Sequence, residues 1–346
     1  MEGEVKSDDA TISVQSQGNE INPAILLISG HASTCFAYGS LPSMLVQQGF
    51  RVITFDPRGL GRSVCEKDYS LHDWASDCIA VLDYFEVRKA HIWGSSQGGY
   101  VAQLVAVQNP ERCSSLTLHA TGLLGTGELE SMILRETGLC LKLMRFQAQN
   151  GLKRGMTEEQ YVNARLGFIG LAQGARRLPK TLSWLWWASA GASVVSTFYA
   201  TAVFTRVCGA ASGGLLYGLA RWLLASETSL SPEDKREIED TARKEFRTGR
   251  VDWSGEGTRR QKRAESGWTK QDTLNHRAAA QACLVPTLVV HGTHDPLFRV
   301  QAGQTLAETF PAATLLTIRG AGHCLPIASR SEWFGGVLKH LRQHKN

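Results

Sequence analysis

Short apolar runs closed by turn residues, with stretches of helical spacing between them, constrain this chain more than any other feature. Ala24-Ile-Leu-Leu-Ile28 is closed by Ser29-Gly30, and Arg51-Val-Ile-Thr-Phe55 by Asp56-Pro57-Arg58-Gly59. Ala90-His-Ile-Trp93 ends at Gly94, and Ser115-Leu-Thr-Leu-His119 ends before Thr121-Gly122. Runs this short and this continuously apolar are expected of strands buried on both faces of a parallel sheet. Across 71–85, Trp74, Cys78, Val81, Leu82 and Phe85 recur at three- and four-residue steps, and a second helix is expected from Tyr100 up to Asn109-Pro110. The pattern resumes with a strand at 286–291, a helix near 301–310, a strand at 314–318 and a last helix near 333–341. Strands alternating with helices predict a parallel sheet with right-handed crossovers.

Between 123 and 280 the strand signal vanishes, so the expected organisation is a core from 1–122 and 281–346 interrupted by a helical cap insertion. A chain of 346 residues is long enough for that. Within the insertion, residues 181–205 (from Thr181 to Thr205) carry no charge and include Trp184, Trp186, Trp187, Phe198, Tyr199 and Phe204. That length suits a membrane span. Eight Ser or Thr residues dilute its hydrophobicity, so a pair of buried cap helices is the expectation. Membrane contact, with Arg176, Arg177, Lys180 and Arg206 on the flanks, is the alternative. Ser231-Pro232-Glu233-Asp234 reads as a helix start, with a capping serine, proline in the first turn and acids at the positive end; that helix should stop near Gly249. The basic cluster 259–263 reads as a solvated face, or alternatively as a contact for phosphate head groups.

A net charge of +5 is too mild for a nucleic-acid-binding signature. The eight cysteines are scattered singly, with no paired spacing that would suit structural zinc. The opening MEGEVKSDDA is acidic and polar where a secretory leader would be basic and then apolar, which favours a reducing, cytoplasmic setting. No cofactor or metal is expected.

Gly94-Ser95-Ser96-Gln97-Gly98 fits G-x-S-x-G and lies between an expected strand and an expected helix. A nucleophile on so tight a turn needs a strained backbone and small residues two positions away on either side. Centring the motif on Ser95 would put Trp93 and Gln97 at those positions, so Ser96 is the candidate nucleophile. A serine hydroxyl needs a base. Among ten histidines, His323, in Gly320-Ala-Gly-His323 past the last strand, falls at the same sheet edge as Ser96. His91 and His119 lie in strands, and His291 and His294 flank a loop whose single acid, Asp295, is the candidate for orienting the base. The order Ser, Asp, His along the chain suits this fold. The amides of Gln97 and His31 are the candidate oxyanion donors.

With these residues placed, the chain resembles the α/β-hydrolase superfamily over about 24–122 and 284–341. Asp56-Pro-Arg-Gly-Leu-Gly-Arg-Ser63 matches its D-x-R-G-x-G-x-S loop, and Gly94-Ser-Ser-Gln-Gly-Gly99 its nucleophile elbow. His291-Gly-Thr-His-Asp-Pro296 matches the acid loop, and Gly320-Ala-Gly-His-Cys-Leu-Pro326 the histidine loop. The ending Gly-His-Cys-Leu-Pro is similar to that of methyl esterases acting on polyketides. One departure is Ser29-Gly30, where the family usually has His-Gly. The resemblance implies an α/β-hydrolase fold, a mostly parallel sheet with helices on both faces and a large helical cap. It also implies the roles above for Ser96, Asp295, His323, Gln97 and His31. Dehalogenases and epoxide hydrolases of the superfamily carry aspartate at the elbow, and here Ser96 stands in its place.

The function expected is hydrolysis of an ester of a lipophilic small molecule through an acyl-enzyme. The alternatives are a membrane-associated lipid hydrolase, a thioesterase, a carbon–carbon bond hydrolase, and a non-catalytic ligand-binding protein on the same fold.

Overall fold

The computed structural model describes residues 1–126, 156–172, 230–252, 255–324 and 330–344. Among the described residues, eight strands form one sheet in the order β1-β2-β4-β3-β5-β6-β7-β8. Of these, β3 (Ala24–Ile28), β4 (Arg51–Phe55), β5 (Ala90–Ser95), β6 (Cys113–His119), β7 (Thr287–Gly292) and β8 (Ala313–Ile318) are the runs expected from sequence, and they pair in parallel.

The remaining two, β1 (Glu2–Ser7) and β2 (Ala10–Gln17), form an antiparallel hairpin that was not expected. Their many polar residues hide the strand signal. β2 nonetheless buries Ile12 and Val14 completely, and Asp8 takes the left-handed conformation the tight turn requires (φ 49°).

Successive side chains on the central strands point to opposite faces and divide the core in two. Leu26, Ile28 and Ile92 pack beneath α2 (Leu71–Tyr84), α3 (Gln97–Gln108) and the later helix Val300–Thr309, through Trp74, Val81, Val101, Val105 and Leu306. Ile25, Leu27, Val52 and Val290 meet α1 (Leu41–Gln47) and the C-terminal helix Arg330–Gln343 on the other face, through Leu45, Val337 and Leu341. Each such buried side chain contributes roughly 2 kcal/mol of transfer free energy.

Between β6 and β7 every described element is helical: α4 (Glu158–Ala172), α5 (Pro232–Arg247), α6 (Glu256–Ser266) and α7 (Lys270–Ala282), followed after β7 by α8 (Val300–Thr309) and α9 (Arg330–Gln343). α5 starts where its sequence signals put it, with a reciprocal Ser231–Asp234 capping box and Pro232 in the first turn. α4 and α5 share a small apolar cluster of Tyr161, Val162, Ala242 and Val251. Residues 181–205 lie outside the described residues, and no described helix is long and apolar enough to cross a membrane.

The D-x-R-G-x-G-x-S loop acts as a structural clamp. The fully buried Asp56 accepts the amides of Cys35 (2.9 Å) and Arg62 (3.0 Å) and the guanidinium of Arg250 (2.9 Å). Ser63 donates to the Asp56 carbonyl and accepts the amide of Ser13, while Arg58 is buried against Asp77. The basic cluster on α6 is paired rather than bare. Arg263 engages Asp68 and Glu256, and Arg260 donates to the carbonyls of Cys65 and Glu66.

Candidate active site

The parallel strands end along one edge, and the loops that leave that edge carry the residues singled out from sequence. Ser96 stands between β5 and α3 with φ 53° and ψ −123°, a conformation that costs a non-glycine residue roughly 1–3 kcal/mol. Its surroundings hold it there. A Cβ on Gly98 would strike the carbonyls of Ile28 and Ser29, and one on Gly94 would come within 2.6 Å of the Ala102 methyl. The Ser96 amide donates to the His119 carbonyl at 2.9 Å, and the Ser96 carbonyl accepts Gly99 N at 2.9 Å. Although Ser96 is the N-cap of α3, its hydroxyl makes no capping bond.

The acid and histidine loops are stitched by their backbones. Thr293 N donates to Ile318 O (3.0 Å) and His294 N to Ala321 O (2.9 Å). His323 Nδ1 then lies 2.9 Å from Asp295 Oδ2, and the other carboxylate oxygen accepts the amides of Leu297 (2.8 Å) and Phe298 (3.0 Å). Burial alone would raise the Asp295 carboxyl. The charge and hydrogen bond of His323, with help from His291 and the Phe298 amide, outweigh it and hold the group below its ordinary value. An ionised Asp295 makes Nδ1 the donor and leaves Nε2 as the basic ring nitrogen. Phe298 stacks on the His323 ring at 5.8 Å between centroids and fixes its plane.

The neighbouring histidines have separate tasks. His291 Nε2 donates to Phe298 O at 2.9 Å and sits 3.6 Å from Asp295 Oδ2, which shapes the acid loop. His91, deep in β5, meets Ser115 Oγ at 2.9 Å. His119, at the end of β6, meets Ser95 Oγ at 3.0 Å. Burial, and then repulsion from His323 and His291, push the His119 imidazole down to about 3, so it is neutral across the physiological range.

The loop after β3 lies against the elbow: a Cβ on Gly30 would be 3.0 Å from Ser96 Cβ and 3.6 Å from Ser96 Oγ. His31 Nδ1 is 3.2 Å from Gln97 Oε1. The amide of Ala32 is engaged by Gln261 Oε1 at 2.8 Å. Gln261 and the stacking Phe298 were not legible in the sequence, since neither belongs to a motif with chemistry of its own. Among the described residues, no group of three His, Cys, Asp or Glu side chains could hold a metal ion.

The acid–histidine pair lies on adjoining loops at the sheet edge from which Ser96 rises on a strained strand-to-helix turn. The chain belongs to the α/β hydrolase fold family, whose model matches residues 23–147 and 234–328.

It is similar to rhodomycin D methylesterase of Streptomyces peucetius, 32% identical over 154 residues, which cover 41% of this chain and 51% of the relative. It is also similar to 3-oxoadipate enol-lactonase 1 of Acinetobacter baylyi, 32% identical over 108 residues, which cover 31% of this chain and 40% of the relative. The match thus spans about half the length of these relatives, or less. Among solved structures, a chain from a study of carboxylesterases of the ammonia-oxidizing thaumarchaeon Nitrososphaera gargenis is similar in fold, with a TM-score of 0.63 at 16% identity, covering 99% of this chain and 98% of that one.

Proposed function

We propose that this protein is a serine hydrolase that cleaves an ester of a lipophilic small molecule through an acyl-enzyme. Ser96 Oγ attacks the ester carbonyl while His323 Nε2 takes its proton. Asp295 keeps the imidazole in the Nδ1–H tautomer and stabilises the imidazolium that forms. The amides of Gln97 and His31 receive the developing oxyanion, aided by the positive end of α3. His323 returns the proton to the leaving alcohol, and water then repeats the sequence on the acyl-enzyme.

The observation that carries this reading is the 2.9 Å His323–Asp295 bond at the sheet edge where Ser96 is held at φ 53°. Ala32's amide is already engaged by Gln261, which favours His31 over its neighbour as the second donor. Similarity to a methylesterase and an enol-lactonase supports ester chemistry. The Trp-rich composition of residues 181–205 supports a lipophilic substrate.

Ser96→Ala is the direct test. It should abolish both turnover of an activated aryl ester and labelling by a fluorophosphonate probe. Undiminished activity in that variant rules out Ser96 as nucleophile.

A further inference from the structure

Helix α6 carries none of the residues of the proposed triad, yet one of its residues, through its side chain and its backbone carbonyl, touches both segments that carry the proposed oxyanion donors. Gln261 is fully buried. Its Oε1 accepts the Ala32 amide at 2.8 Å, and its backbone carbonyl accepts Gln97 Nε2 at 3.2 Å. Gln97 Oε1 in turn lies 3.2 Å from His31 Nδ1, so His31, Ala32, Gln261 and Gln97 form a closed ring of contacts. Glu265, one turn further along α6, also accepts Gln97 Nε2 at 3.2 Å.

The loop needs such a tie. Ala32 sits at φ 52°, a left-handed conformation that alanine keeps only when its surroundings impose it. The bonds of the Ser29 and Ser33 hydroxyls run within the loop itself, to Ser33 O and His31 O. Anchoring the Ala32 peptide limits the swing of the adjoining residue, His31, whose amide is the proposed donor.

We infer that Gln261 is a positioning residue for the oxyanion hole. It fastens the loop after β3 to the elbow, so that the amides of His31 and Gln97 stay aimed at one point. Donors held in place before the reaction stabilise developing charge far better than donors that must reorganise. A ground-state ester carries no oxyanion, so loosening the donors lowers kcat and leaves substrate binding largely intact. This inference rests on the proposed reading of Ser96, Gln97 and His31.

The test uses the full chain with two substitutions on the same helix. Gln261→Met preserves length and removes the acceptor. Arg263→Ala breaks the exposed 2.6 Å pair with Asp68 and leaves the ring untouched. Removing one oxyanion donor outright costs about 10²–10³ in kcat, and displacing one should cost less. Gln261→Met is therefore expected to lower kcat roughly ten- to a hundredfold on an aryl ester, with KM within about threefold. Affinity for a trifluoromethyl ketone, which forms an oxyanion on the serine, should fall by the same factor as kcat/KM. Arg263→Ala should match the wild type.

Unchanged kcat, a loss confined to KM, or an equal loss in Arg263→Ala overturns the inference. If circular dichroism finds Gln261→Met unfolded, Gln261→Ala removes the same acceptor from the Ala32 amide with a smaller side chain. Wild-type kcat in that variant is equally decisive against it. A wild-type protein that a fluorophosphonate does not label at Ser96 removes the underlying reading. A labelled, active wild type with unaffected variants removes the role of Gln261 alone.

Discussion

Replacing Asp295 with Asn isolates the electrostatic part of the proposed mechanism from its geometry. The Asp295 side chain is fully buried, with Oδ2 on His323 and Oδ1 on two backbone amides. Asparagine can keep Oδ1 on the amides of Leu297 and Phe298, so the loop retains its shape. Its amide nitrogen then faces His323 Nδ1, and a donor opposite a donor drives the ring toward the tautomer that cannot accept the Ser96 proton. The negative charge that would stabilise the imidazolium is also lost. Two unit charges about 4 Å apart are worth about 4 kcal/mol at an effective dielectric constant near 20. At 1.36 kcal/mol per decade, that alone is about a thousandfold. With the tautomer penalty added, kcat should fall by about 10³–10⁴ while KM changes little. The assay is steady-state hydrolysis of an activated ester, with circular dichroism to verify the fold. A folded Asp295→Asn variant that retains more than a tenth of wild-type kcat would refute the argument, because neither the tautomer nor the imidazolium would then depend on this carboxylate.

Two further predictions concern the frame around the site. Arg250→Met leaves the buried Asp56 carboxylate without its guanidinium partner at 2.9 Å, and an uncompensated buried charge costs about 3–5 kcal/mol. The urea midpoint should drop accordingly, and a loss below about 1 kcal/mol would mean that the pair adds no net stability. Stability should also decline with acid. Burial first, and then neighbouring histidines, push His119 down to about 3, and His276 and His340 to about 4. These folded-state values lie below the 6.5 of a free imidazole, so the unfolded chain takes up protons first. The stabilisation is complete above pH 6.5 and is lost progressively as pH falls toward about 4, by up to about 1.4 kcal/mol per pH unit for each ring. A urea midpoint that stays flat from pH 7 to pH 5 would contradict the burial of neutral imidazoles.

Much of the candidate site was legible in the sequence because its signals are local. Ser96 is flanked by Gly94 and Gly98 within five residues, and the strand before it and the helix after it are each written in a continuous pattern. Asp295 and His323 follow short apolar strands, so a parallel sheet necessarily delivers both loops to the edge where β5 ends. The N-terminal hairpin escaped notice because its residues are mostly polar. β2 is held through the buried Ala10, Ile12 and Val14 and through its pairing with β1 and β4. α5 reads as charged nearly all round, yet Glu245 is buried against Thr34, Tyr161 and Arg165. Nothing in its own segment announces that.

What the sequence by itself determined was the order of the six parallel strands with the helices that flank them, the serine turn, and the loops that bear a candidate acid and base. Tertiary structure alone decided which distant polar groups meet. Arg250 reaches Asp56 across 194 residues, and Gln261 reaches Ala32 across 229. A buried hydrogen bond or ion pair is stable only when both partners leave water together. That requirement couples positions with no common local pattern, so folding of the whole chain, rather than the character of either segment, selects them.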